Sequence, residues 1–273
     1  MTAVPQVYVR RDRNGPRVVA RTTGVPFARE EEAVRWAVRF GPRPPGVRCP
    51  AAVFAKPLDP STVVVGQAAD LGDGDDPPLA FRFLFVPREA YPGDPFALAE
   101  RFPPNWAASG DVPAVEWEPA WPTRDAEEIR ELLKTGDGPL LLGTTQAVLD
   151  GTRVAVARPG PDPGYVRGVW RLLPHRSLAE HSVASFAFAN DLGFDLVVLP
   201  AVPAGGLPGW LTEEQARDYP EGRYELAVQV AVESGDAAEL ERLFARRSSR
   251  DVLRTALIAV ALAAAVVVLL RFL

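Results

Sequence analysis

From Thr255 to Leu270 the chain runs for 16 residues in which the only polar side-chain atom is the hydroxyl of Thr255. Arg271, Phe272 and Leu273 follow. A segment of this kind has two fates: a helix across a bilayer or a helix buried in a core. As a helix, residues 255–273 would be about 28 Å long, against a hydrocarbon layer of about 30 Å. The pattern favours the membrane, because a helix packed on a domain carries a polar stripe and this run is apolar on every face. The residues expected in the bilayer are Thr255, Leu257, Ile258, Val260, Leu262, Val266, Val267, Val268, Leu269 and Leu270. Thr255 can bond back to its own helix backbone, and Arg271 can extend its stem to the headgroups.

The run has an abrupt basic border. Arg246, Arg247, Arg250 and Arg254 form a neck, with Arg242 just before it and Asp251 as the single acid. The positive-inside rule then keeps the long N-terminal part in the cytoplasm. The first residues, "MTAVPQVYVRRDRNG", lack a basic region followed by an apolar core, so no secretory signal is expected. Cys49 is the one cysteine, which rules out an internal disulfide and fits a reducing compartment. The expectation is a tail-anchored, single-pass protein of the cytoplasmic membrane. Thr255, Ala259 and Ala263 recur every fourth residue. Such a small-residue stripe can bring two spans together, so Ala259 and Ala263 are candidates for a homodimer contact.

Net charge enters where partners are concerned. At −5, with a pI near 5.3, the chain lacks the basic face that nucleic acid requires. Its 30 basic residues include only two lysines, Lys56 and Lys134. That bias is what a GC-rich bacterial genome imposes, so the arginines are not read as a binding signature.

Along the chain, strands and helices mix without a regular βα rhythm. This predicts an α+β fold with mixed or antiparallel sheets and short helices, followed by the transmembrane helix. "VYVRRDRNGPRVVART" reads as a hairpin around Asn14-Gly15. Residues 30–40 read as a helix with Val34, Ala37 and Val38 on its apolar face. "AAVFAKPL", "STVVVGQA" and "LAFRFLFVPRE" read as strands, the last with Phe81, Phe83 and Phe85 on a core face. Asp94 and Pro95 start a short helix that Pro103-Pro104 stops. Residues 103–122 hold five prolines and three tryptophans and form a connector expected to pack on the body. It separates an N-terminal α+β part, 1–102, from a second part, 123–247, which either stands alone or joins the first in one domain. A neck at 248–254 and the anchor at 255–273 complete the layout. In the second part, "TRDAEEIRELLKTG" is a helix with a stripe of Ile129, Leu132 and Leu133. Asp150-Gly151 precedes a strand, and "GYVRGVWRLLP" is a short helix. "SVASFAFANDLGFDLVVLP" reads as a second hairpin, and "YELAVQVAVESGDAAELERLF" as helix broken near Gly235.

No motif names a reaction: there is no Walker loop, no G-x-G-x-x-G and no G-x-S-x-G. His175 and His181 lack zinc-ligand spacing. Cys49 has arginines nearby but no assured base. "DLGDGDDPP", Asp70–Pro78, offers carboxylates but fails the calcium-loop pattern and reads as a solvated turn. No cofactor, metal or catalytic residue is therefore assigned.

Several stretches resemble the N-terminal module of the bacterial GTPase-associated proteins. They are "VYVR…RVVARTTGVP", "FRFLFVPREAY", "GDPFALAERFPPNW", "LLLGTTQAVLDG" and "VWRLLPHRSLAEHSVASFAF", across most of residues 4–200. The resemblance implies a non-enzymatic component of a membrane-associated system with a GTPase-like partner, and it carries over no catalytic residues. This chain departs from it by placing a bilayer span directly after the module. The leading expectation is a non-catalytic adaptor holding a cytoplasmic body at the lipid bilayer to bind a protein partner. The alternatives are a tethered enzyme using His175, His181, Cys49 or the Asp70–Asp76 loop, and a structural protein that self-associates through its span.

Overall fold

The computed structural model describes residues 2–245, other than 75, 92, 103–105, 107, 119–123 and 204–205. The basic neck from Arg246 and the apolar run to Leu273, Ala259 and Ala263 included, lie outside the described residues, as do Pro103 and Pro104. Among the described residues no helix is long and apolar enough to cross a membrane.

After β1 (Thr2–Val4), β2 (Gln6–Asp12) and β3 (Gly15–Arg21) form the first expected hairpin, with Asp12 opposite Gly15. Gly15 has φ of 96°, and no described residue other than glycine has positive φ. The tip is therefore not a type I′ turn, which would need Asn14 in the left-handed region as well. Helix α1 (Phe27–Arg39) buries Glu30, Ala33, Trp36 and Ala37. The stripe read as Val34, Ala37 and Val38 is thus rotated, and Val38 is 54% exposed. Trp36 sets the rotation. Its ring meets Phe54 and Phe83 at centroid distances of 6.2 and 6.4 Å, and the largest apolar surface decides which face turns inward.

Strands β4 (Ala52–Asp59), β5 (Thr62–Asp70) and β6 (Leu79–Pro87) form an antiparallel meander, as the three apolar runs predict. Phe81, Phe83 and Phe85 are buried on one face, but Arg82 and Leu84 are buried on the other. The Arg82 guanidinium lies 3.8 Å from the Trp106 ring centroid and 5.1 Å from that of Tyr8, a cation held by aromatic faces. Trp106 belongs to the connector. Helix α2 (Pro95–Ala99) is capped by Asp94, whose carboxylate accepts from the Phe96 and Ala97 N–H groups at 2.9 and 3.1 Å. Further along the connector, β7 (Gly110–Asp111) pairs with β3, and β8 (Val115–Trp117) pairs with β1. The described part of the connector thus pairs with strands of the body.

In the second part, α3 (Ala126–Thr135) ends at Gly136 and α4 (Gly138–Leu149) starts two residues later. Periodicity misses α4, because the helix is buried continuously from Leu140 to Val148 and shows no stripe. Then come β9 (Arg153–Ala157), α5 (Pro163–Leu172), β10 (Val183–Ala184), β11 (Leu196–Leu199) and β12 (Trp210–Leu211). Helices α6 (Glu213–Arg217), α7 (Arg223–Ser234) and α8 (Ala237–Phe244) close the described chain, with the expected break at Gly235.

The second hairpin is a correction. β10 and β11 run parallel, Val183 beside Leu196 and Ala184 beside Val197. Phe186, Phe188, Leu192 and Phe194 between them are all buried, so "NDLG" sits at the end of a packed loop and not at a hairpin tip. Antiparallel pairing needs only a tight turn, whereas this longer packed segment carries the chain back to start β11 in the same direction.

Among the described residues, ten strands form one sheet in the order β12-β9-β11-β10-β4-β5-β6-β2-β3-β7. Strands from both sides of the connector share it. They join at β10 and β4, where the Val53 N–H donates to Ser185 Oγ at 2.9 Å and the Ser185 N–H to Val53 O at 2.8 Å. The architecture is α+β with one large mixed sheet and short helices.

Candidate functional site

The most chemically furnished recess lies where the parallel strands begin. The C-terminal end of α4, the start of β9, the segments entering β10 and β11, and the N-terminus of α7 enclose about 700 Å³. Each element delivers its polar group at a turn. Asp150 is the residue after α4 and Arg153 opens β9. His181 and Asp195 stand just before β10 and β11, and Glu221 and Arg223 flank the start of α7. With Glu180, the lining has four carboxylates against two guanidiniums, a formal charge of −2 with His181 neutral.

The groups hold one another. Asp195 accepts from both the Ser182 N–H and Ser182 Oγ at 2.8 Å, and Arg153 Nε lies 3.5 Å from its other oxygen. Asp150 accepts from Gln146 Nε2 at 2.9 Å and Tyr219 OH at 3.2 Å. Ser177 Oγ donates to Pro174 O at 2.8 Å. The N-terminus of α7 is occupied too: the Glu225 carboxylate takes the Gly222 N–H, while burial raises its pKa. The Glu225 N–H donates to Gln146 Oε1 at 3.2 Å. The Ser177 hydroxyl is thus committed to a carbonyl and that of Ser182 to the Asp195 carboxylate. The recess is suited to binding basic groups.

Cys49 and His181 do not converge. Val183 lies opposite Ala55 and Ala184 opposite Phe54, which sets His181 level with Pro57. Cys49 precedes the other end of β4, roughly 25 Å away at the rise of a strand. Cys49 is fully buried, and burial, then the Asp70 charge, push its thiol up to about 12. At neutral pH it is a thiol, not a nucleophilic thiolate. His175 sits in a short 3-10 turn, 6.4 Å from the Phe244 ring, and burial, then Arg124, push it down to about 4.

Asp70 does meet Cys49, whose N–H it accepts at 2.9 Å, but as part of an arginine clamp. Arg43 and Arg48 reach it at 2.6 and 2.8 Å, and Arg48 also donates to the Gly72 and Gly74 carbonyls. Burial pushes the Asp70 carboxyl up, and these bonds outweigh it, holding the group below the usual carboxylate range. The acidic turn is thus tied to the body by cations already present. Among the described residues no group of three or more His, Cys, Asp or Glu could hold a metal ion.

Sequence reading picked out His181 and missed Asp150, Arg153, Asp195 and Glu221. Their signal is slight: each stands at an element boundary, and only the sheet order brings those boundaries together. No family model, curated protein or solved structure matches the chain.

Proposed function

We propose that the chain is a membrane-anchored adaptor. Residues 255–270 would hold the α+β body on the cytoplasmic face, where it binds a protein partner. The observation that supports this most is the junction at the end of α8. Leu240, Leu243 and Phe244 are buried, Ala245 is exposed, and the sequence passes at once to Arg246, Arg247, Arg250, Arg254 and the apolar run. Residues 246–254 reach at most about 30 Å when extended, so the body would work close to the lipid surface. The acidic recess at the start of the parallel strands suits a basic segment of the partner. The resemblance to the GTPase-associated module makes a GTPase-like protein the first partner to seek.

Two experiments test the parts separately. Alkaline carbonate washing of membranes should leave the full chain in the pellet, while Leu262→Arg with Val266→Arg should release it. Release of the unsubstituted chain removes the anchor. A crosslinked pull-down from detergent-solubilised native membranes, repeated with residues 255–273 exchanged for an unrelated span, reads the adaptor. The same stoichiometric partner with both chains supports it, and no partner with either overturns it.

A further inference from the structure

The β2–β3 hairpin is a basic element in an acidic chain. Residues 6–21 carry five arginines and one acid, Asp12, in a protein of net charge −5. Two of the five are neutralised locally: Arg17 lies 2.6 Å from Asp12, and Arg21 lies 2.5 Å from Glu30. Of the other three, Arg10, Arg11 and Arg13, none makes an ion pair with a described carboxylate, and it is Arg11 and Arg13 that matter here. Both open onto a hollow of about 820 Å³ between the hairpin tip, the end of α1 and the β5–β6 turn.

The hollow's far wall holds a third guanidinium. Arg43 lines it, with its own charge already met by Asp70 at 2.6 Å and Asp76 at 3.6 Å. Arg11 is held in place by one bond, Nη1 to the Ala37 carbonyl at 2.6 Å, and its guanidinium lies 5.6 Å from the Phe81 ring centroid. Burial, and then the Arg43 charge, lower the Arg11 pKa. Asp76 acts on it in the opposite sense, but no described carboxylate pairs with it, and an incoming anion would give this partly desolvated guanidinium, which faces another cation, a direct partner.

The walls narrow the choice of anion. Pro16, Pro42, Pro77 and Pro78 contribute no N–H groups, so the proline wall offers no backbone donor to a phosphate. The donors are the flat arginine forks, which match a carboxylate edge-on. Val38, 54% exposed, and the prolines give apolar contact beside them. Asp76, 63% exposed at the rim, repels an extended anionic surface such as a bilayer.

We propose that this hollow is a docking site for an acidic peptide segment of a partner protein. Arg11 and Arg13 clasp a glutamate or aspartate side chain, and Val38 with the proline wall packs an apolar neighbour. The site rests on the hairpin and its surroundings, and stands whether or not residues 255–270 cross a bilayer.

The test is fluorescence anisotropy with the full chain in uncharged detergent. The probe is a labelled peptide of alternating glutamate and leucine with both termini blocked. Binding is expected to weaken about tenfold in Arg11→Gln with Arg13→Gln, the loss of a charge-assisted pair. A smaller loss is expected in Arg13→Gln alone, and none in Arg35→Gln, whose residue pairs with Glu32 elsewhere. Arg13 is exposed at the hairpin tip, so its variant keeps the test valid if loss of Arg11 disturbs α1. The glutamine version of the peptide should not bind. Equal affinity in all variants, no binding by the unsubstituted chain, or displacement of the peptide by inorganic phosphate or by phosphatidylglycerol vesicles would each overturn the proposal.

Discussion

The antiparallel flank of the sheet, β4-β5-β6-β2-β3, and the parallel flank, β10-β11-β9-β12, are held together by different means. On the antiparallel flank the strands are seven to nine residues long and paired along most of their length. Aromatic rings lock them: Phe54 lies within 6.2 Å of Trp36, Phe40, Phe83 and Phe194, centroid to centroid. On the parallel flank the strands are two to five residues long, too short to hold a register alone. Helices position them, and those helices are started by side-chain caps at Asp137, Asp162 and Thr212. One flank is therefore most sensitive to volume, and the other to a few polar and cationic contacts.

The largest effect should come from breaking the aromatic lock. Phe54→Ala should lose about 3–5 kcal/mol in urea unfolding. Gly66, opposite Phe54 in the register, is the companion test. A Cβ there would come within 2.1 Å of the Phe54 ring, so Gly66→Ala should lose at least about 1–3 kcal/mol by overpacking. In the double variant the smaller residue at 54 makes room for the one at 66, so the two losses should not add. Strict additivity would show that the two positions do not share one packed space.

On the parallel flank, the comparable residue is Arg124. Its guanidinium donates to the Leu173 and Trp170 carbonyls at the end of α5, and lies 4.7 Å from the Phe244 ring on α8. Burial pushes its pKa down to about 10, still charged at neutral pH. Arg124→Ala strands those carbonyls and should destabilise by about 2–4 kcal/mol. Cleavage by protease near α8 should appear before global unfolding. Arg124→Lys should rescue little, since one ammonium cannot bridge both carbonyls and the ring. A loss below about 0.5 kcal/mol would remove the clasp.

The same contrast explains what could be read in advance. β2 to β6 were legible because long strands repeat their alternation and carry turn residues such as Asn14-Gly15. β10 and β11 looked like a hairpin because two apolar runs around "NDLG" satisfy the local rule, and nothing local encodes parallel pairing. Helix α4 was hidden by having no polar side. The rotation of α1 was illegible because Val34 and Val38 fit the period as well as Ala33 and Trp36 do, until Trp36 meets Phe54. In the recess, Asp150, Arg153 and Asp195 are far apart in sequence and meet only through the strand order. The arginines of the hairpin were visible, but compositional bias masked them until the structure showed Arg11 and Arg13 opening onto one hollow.

A pH titration sharpens the comparison at His175, which packs beside Phe244 and Arg124. Its pKa is 6.5 in the unfolded chain and about 4 in the fold. As pH falls below 6.5 the unfolded chain takes the proton first, so stability is lost between about pH 6.5 and about pH 4 and is flat above. With solvent screening, the loss should be about 1–2 kcal/mol. His175→Gln should flatten this window, and an unchanged slope would place the titration elsewhere.

The smallest effect belongs to a single cap. Asp162 accepts from the Tyr165 N–H at 3.0 Å and starts α5, the helix whose far end Arg124 holds. Asp162→Ala removes one partner from the orphan N–H groups of that first turn and should lose about 1 kcal/mol. Asp94→Ala at α2 deletes the same chemistry from a helix of five residues. If helices position the parallel strands, the Asp162 change should also speed hydrogen exchange in β9 and β11, beyond α5 itself. The Asp94 change should leave exchange in β4 and β5 as it was, although α2 packs on both, because those strands carry their own pairing. Equal spread from the two caps would mean that the flanks do not differ in what holds them.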